Sequence, residues 1–142
     1  MYKLIAIITA AIFSLLFGSN AWAKETANPL KDVNTKQIAL TYVEAITSGN
    51  IEFNKHLFTP DFEYQNSTNS EVFNRSEYLN FLKVNKGIKY NCETSYEILD
   101  QAGKTSVAKA ILKFENFTRV DYITMAQSTD GWKISKVVTT YP

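Results

Sequence analysis

VDYITMAQSTDGWKISKVVTT, residues 120–140, is the stretch that decides the fold. From Val120 to Gln127 the side chains alternate. Asp121, Ile123 and Met125 share one face, and Val120, Tyr122 and Thr124 share the other. Ser128-Thr129-Asp130-Gly131 then turns the chain, with Asp-Gly a strong hairpin signal. Trp132 to Thr140 runs back as a second strand. Moving upstream, Val107 to Phe117 reads as another strand, and Gln101-Ala102-Gly103-Lys104 as a hairpin connection. Lys89 to Asp100 alternates Tyr90, Cys92, Thr94, Tyr96 and Ile98 against Asn91, Glu93, Ser95 and Glu97. Four strands joined by short turns make an antiparallel meander.

The chain before the meander is mostly helical. Ile38, Tyr42, Ala45 and Ile46 lie on one stripe of a helix, with Asn34 or Asp32 as its cap and Gly49 as its stop. A short helix is expected from Ile51 to about Leu57, ended by Pro60. Asp61 to Asn66 reads as one short strand, with Phe62 and Tyr64 alternating with polar residues. After the polar loop Asn66 to Ser70, Asn74-Arg75-Ser76-Glu77 has capping-box chemistry and opens a third helix carrying Tyr78, Leu79 and Leu82. Segregated helices and strands predict an α+β domain: three N-terminal helices packed on a curved antiparallel sheet.

The 142 residues carry 15 Lys+Arg against 14 Asp+Glu, too even a balance for a dedicated nucleic-acid binder. One cysteine, Cys92, excludes an intrachain disulfide framework, and with His56 the only histidine a metal site is not expected. Cys92 reads as a small, buried apolar residue of the sheet. The first residues have the order of a secretory leader: Lys3, an apolar run from Leu4 to Phe17, then Ala21-Trp22-Ala23. The run is shorter than the roughly 20 residues a membrane span takes. Residues 1–23 are therefore expected to be a cleaved signal peptide, residues 24–33 a flexible tail, and residues 34–142 the folded domain. The mature form would be periplasmic or secreted, without a membrane anchor. Three Asn-x-Ser/Thr sequons, at Asn66, Asn74 and Asn116, are read as chance matches in an Asn- and Ser-rich chain.

Two stretches resemble the nuclear transport factor 2-like superfamily. Thr41-Tyr42-Val43-Glu44-Ala45-Ile46-Thr47-Ser48-Gly49-Asn50, followed by Leu57-Phe58-Thr59-Pro60-Asp61-Phe62, looks like its opening helix and first strand. Asp121 to Met125, followed by Asp130-Gly131-Trp132-Lys133-Ile134, looks like its closing hairpin. The Asp-Tyr start and Lys136 are most similar to the subgroup called putative lumazine-binding. The resemblance implies a cone-shaped fold around a cavity. It also implies candidate chemistry, since the superfamily includes ketosteroid isomerases and SnoaL-like cyclases and dehydratases. An isomerase of this kind uses a Tyr and an acid as oxyanion donors and an Asp as base. In this chain Tyr42 takes the first position, Asp121 stands near the second, and the base position falls on Asn66.

An amide cannot take a proton from carbon, so the resemblance favours binding over turnover. The candidate ligand-binding residues are Tyr42, Tyr64, Asn66 and Asp121, with no catalytic residue, metal or cofactor assigned. Asp121 is the most informative of them, because an acid on an apolar sheet face is costly unless paired, hydrated or protonated. It is either a structural acid bonded to a donor such as Tyr42 or a pocket residue. Tyr42 and Tyr64 equally fit ordinary core aromatics. The aromatic fraction of 13% suits a pocket for a small flat or apolar ligand. Two other readings stand beside this one. One is an isomerase- or dehydratase-like enzyme with Asp61, Glu63 or His56 as base. The other is a homodimeric interaction module joined through the sheet.

Overall fold

The computed structural model describes residues 27–142, so the expected leader lies outside the described residues. Helix α1 (Thr35–Thr47) begins where the Asn34 side chain accepts a hydrogen bond from the Gln37 backbone N–H. Asn34, not Asp32, is the cap, and the predicted stripe of Ile38, Tyr42, Ala45 and Ile46 is buried. Helix α2 is shorter than expected and spans Asn54–Leu57. Ile51 and Phe53 precede it in a turn in which the Glu52 N–H donates to the Asn50 side chain. Strand β1 (Phe58–Asn66) starts three residues before the expected Asp61, because Phe58 already pairs with the far strand. A strand that the pattern did not announce follows: β2 (Glu71–Asn74) folds back on β1 around the polar loop. Asn74 then caps α3 (Arg75–Val84) by accepting from the Glu77 N–H.

The meander comprises β3 (Glu93–Ala102), β4 (Thr105–Lys113), β5 (Thr118–Ser128) and β6 (Gly131–Thr140). Tyr90 and Cys92 lie before β3 rather than within it. Strand β4 ends at Lys113, so they have no ladder to join, and the Tyr90 N–H instead bonds the Thr47 carbonyl at 2.7 Å. All six strands form one sheet in the order β2-β1-β6-β5-β4-β3, with β2 and β3 outermost. The expected all-antiparallel sheet is corrected here. β1 runs parallel to β6, with Glu63 to Asn66 set against Lys136 to Thr139, so the sheet is mixed. A parallel neighbour requires a long crossover, and α3 with the whole meander supplies it.

The inner face of the sheet carries the core. Ala108, Ala110 and Leu112 on β4, Ile123 and Met125 on β5, and Ile134 and Val137 on β6 are buried against the helices. Ala108 and Ala110 are small and let α1, which packs on β3, β4 and β6, come close. A register shift opposite Thr124 and Met125 lets both Ile134 and Val137 face inward although they are three residues apart. Trp132 anchors the hairpin in the core, as its size predicts. Gly49 ends α1 with a positive φ of 62°, and a Cβ there would collide with the Gly87 backbone. Two helix ends are thereby held together, with the Gly87 N–H donating to the Gly49 carbonyl.

The expected flexible tail is not free from Asn28 onward. The Asn28 side chain donates to the Asp130 carbonyl at 2.8 Å and caps the Leu30 N–H at 2.8 Å. Leu30 is only 5% exposed and belongs to the core, and the Lys31 carbonyl lies against Gly131, where a Cβ would not fit. One isolated apolar residue has no period to reveal it, so its burial is a tertiary event. Leu30→Ala is expected to lower stability by about 2–4 kcal/mol in urea denaturation, as for other core truncations. A change within roughly 0.5 kcal/mol, the surface range, would mean the segment does not dock.

Candidate functional site

Arg119 and Asp121 are two apart on β5, so strand parity places both on the inner face. Asp121 is fully buried. The Arg119 guanidinium grips it in a fork: Nε donates to Oδ1 and Nη2 to Oδ2, both at 2.9 Å. Thr139, the residue opposite Asp121 on β6, donates its hydroxyl to Oδ1 at 2.6 Å. Tyr42 on α1 donates its hydroxyl to Oδ2 at 2.7 Å, and the Tyr42 and Tyr78 hydroxyls lie 3.2 Å apart. Each carboxylate oxygen thus receives two donors. This resolves the cost of an acid on an apolar face: the charge is paired and fully hydrogen-bonded.

The same contacts shift the titrations. Burial opposes a charged Arg119, but the charge and hydrogen bonds of the Asp121 carboxylate, with Tyr42 and Tyr78, together outweigh this and raise the guanidinium above its ordinary value. Burial, reinforced by the Asp121 charge, pushes Tyr42 well above the usual tyrosine range. Burial likewise raises Tyr78 and, more mildly, Tyr64.

Beside this network the inner face opens into a cavity of about 270 Å³. Arg119 and Asn66 supply polar lining, Glu71 stands exposed among the lining residues, and aromatic rings make the walls. Tyr64 stacks on Tyr78 at 4.9 Å and 16° and on Phe73 at 5.8 Å and 18°. Phe81 continues the stack against Tyr78, and Tyr90 and Tyr141 complete the lining. The rings are positioned by three elements: β1 carries Tyr64, β2 carries Phe73, and α3 carries Tyr78 and Phe81. The unannounced strand β2 is therefore what builds the second layer of the wall.

The four candidate residues divide into two pairs. Tyr64 and Asn66 line the cavity. Tyr42 and Asp121 do not; they bond each other behind Arg119. In that position they cannot polarise a bound carbonyl directly, as an oxyanion pair would have to. None of the expected bases reaches the cavity either. Asp61 is exposed, and Glu63 faces Lys136 at 3.5 Å. His56 lies on α2, its pKa lowered by burial and by Lys55 and Lys133. Arg119, the cation that joins the buried network to the cavity, is the functional candidate the sequence reading passes over. Its strand parity with Asp121 was the available signal.

The family described as "Putative lumazine-binding" matches residues 31–141. The chain belongs to this putative lumazine-binding family. No curated protein matches it. Solved structures described as nuclear transport factor 2-like share this chain's fold. A nuclear transport factor 2-like protein of unknown function from Methylobacillus flagellatus is 19% identical, with TM-score 0.60 over 79% of this chain and 97% of that one. A nuclear transport factor 2-like protein from Cytophaga hutchinsonii is 15% identical, with TM-score 0.60 over 77% and 99%. A ketosteroid isomerase-like protein from Erwinia carotovora atroseptica is 11% identical, with TM-score 0.61 over 80% and 97%. At these identities the likeness is one of fold: helices packed on a curved mixed sheet. Among the described residues, no cluster of His, Cys, Asp and Glu is suited to a metal ion.

Removing one partner of the buried network leaves a charge unmatched. Asp121→Asn is expected to cost about 3–5 kcal/mol in urea denaturation, and Thr139→Val about 1 kcal/mol. The tyrosines give a signed pH dependence. A folded-state pKa above the unfolded value of 10.0 means the folded chain holds those protons more tightly. Their contribution is complete below pH 10 and is lost as pH climbs above it. Tyr42→Phe should lower stability at neutral pH by about 1–2 kcal/mol and flatten the alkaline decline. Denaturation midpoints that fall with pH equally steeply in Tyr42→Phe and the unmutated protein would contradict this.

Proposed function

We propose that this domain binds a small, flat, partly apolar ligand in the aromatic cavity and does not chemically transform it. The single observation that carries the reading is the cavity itself: stacked rings around a polar lining held rigid by the Arg119–Asp121 pair. Concave sites of this composition, mostly aromatic with few fixed polar groups, are the usual form of ligand pockets. Membership of a family described as lumazine-binding supports a heterocyclic ligand. The chemistry of the lining supports binding over turnover. The residue at the superfamily's base position is the amide Asn66, and Tyr42 and Asp121 spend their hydrogen bonds on each other. An isomerase or dehydratase would have to use Glu71, the one carboxylate among the described lining residues. The leader-like residues 1–23 extend the proposal to an exported protein, periplasmic or secreted.

A thermal-shift series against a pterin, a flavin and a steroid tests the binding reading. The pterin or the flavin should raise the melting temperature by several degrees at saturation, since a ligand that binds only the folded state stabilises it by mass action. No shift with any of the three up to its solubility limit would remove the reading. Fractionation of the native host, with the protein found only in cytosol, would remove the export component alone.

A further inference from the structure

Among the described residues, five of the eight large hydrophobic side chains left exposed gather around the mouth of the cavity. Phe81 and Tyr141 line the cavity and are also open to solvent, so they mark its rim. Val84 follows Phe81 by one helical turn on α3. Phe117 stacks on Phe114 at 4.5 Å and meets Tyr141 at 6.0 Å. Phe114 leads on to Tyr90, another lining residue, and Ile88 stands two residues before Tyr90. Exposed apolar patches of this kind ordinarily mark an interaction surface.

The charge at this end points to the occupant. Lys83-Val84-Asn85-Lys86-Gly87-Ile88-Lys89 interleaves cations with apolar residues and contains no acid. None of its three lysines pairs with a carboxylate among the described residues. Lys113 and Glu93 face each other across β4 and β3, and the other acids of the rim, Glu71 and Glu115, leave the lysines in excess. The stretch is also fixed in place. The Gly87 N–H donates to the Gly49 carbonyl at 3.1 Å, Ile88 to Asn85 at 3.1 Å, and Tyr90 to Thr47 at 2.7 Å. On this held turn Val84 and Ile88 stay 73% and 49% exposed, so they project outward rather than line a groove. A second copy seated here would set one lysine stretch against another, which like charge opposes. Apolar side chains projecting among flexible cations match the layering of a bilayer, with charged headgroups outside and acyl chains beneath.

We propose that this rim docks the protein reversibly on an anionic bilayer. Val84, Ile88 and Phe117 enter the interface, and Lys83, Lys86 and Lys89 meet the lipid phosphates. The docking is peripheral and stands whether or not the cavity takes a ligand. Flotation of the protein, as recovered from its host, with phosphatidylcholine vesicles and with equal parts phosphatidylcholine and phosphatidylglycerol tests it. Partition onto the anionic vesicles should be at least about tenfold stronger, since each lysine near such a surface adds to the attraction. Raising NaCl from about 0.1 to about 0.5 M should remove most of that excess. The triple variant K83Q/K86Q/K89Q should lose the excess, again at least about tenfold. V84S/I88S should weaken anionic binding by about tenfold, because the apolar side chains would no longer be buried in lipid. Leu99→Ser, an equally exposed position on β3 away from the rim, should change nothing. Residues 1–23, where retained, contribute equally to every variant and leave these differences intact. Equal partition of the unmutated protein onto both vesicles overturns the proposal. So does a loss with the lysine variant but none with V84S/I88S, which would assign the cations to an acidic protein partner instead. Neither outcome touches the ligand reading, which the thermal-shift series decides.

Discussion

The contact between Arg119 and Asp121 organises this domain. Two charges sit side by side on one strand, facing a core of aromatic and aliphatic side chains. Either alone would be intolerable there. Together they also need Tyr42 from α1 and Thr139 from β6 to complete the carboxylate's shell, and Tyr42 in turn meets Tyr78 from α3. Two strands and two helices are therefore registered through one side chain. The sheet could slide by two residues and keep its apolar face inward, but it could not then keep this shell. Buried polar groups of this kind contribute little net stability; what they supply here is a single allowed arrangement.

That arrangement connects core to cavity. One side of the guanidinium is consumed by Asp121, and the other reaches the aromatic pocket. The pocket's polar group is thereby held on a rigid strand by partners that never meet the ligand, as a precise site requires. The aromatic wall is assembled differently, from a short hairpin and a helix, and Tyr78 links it to the ion pair. Tyr78 belongs to both: its ring stacks on Tyr64 and its hydroxyl lies against Tyr42.

What was legible in the sequence was whatever short-range chemistry determines. Asn34 and Asn74 announce their helices because capping involves residues three apart, and Asp130-Gly131 announces its hairpin for the same reason. The parallel pairing of β1 with β6 was not legible, because alternation shows which face a residue takes and not which strand it meets. β2 escaped notice since Glu71 to Asn74 is too short to show a period. Of the candidate site, Tyr64 and Asn66 reach the cavity by parity on β1, while Tyr42 and Asp121 turn out to support it from behind. Arg119 was hidden because a basic residue at the start of a strand ordinarily points to solvent. Only its pairing with a fully buried acid explains why it does not.

The placement of β2 and β3 at the two ends of the sheet bears on how the domain behaves in company. A free strand edge invites another strand to add to it. On one side the edge is only four residues long, which leaves little to template. On the other it is ten residues long, but Glu93, Glu97 and Asp100 punctuate it and the register breaks between Ile98 and Asp100. An incoming strand would have to neutralise those charges and follow that break. Its carboxylates and its broken register thus make the long edge a poor template for an added strand.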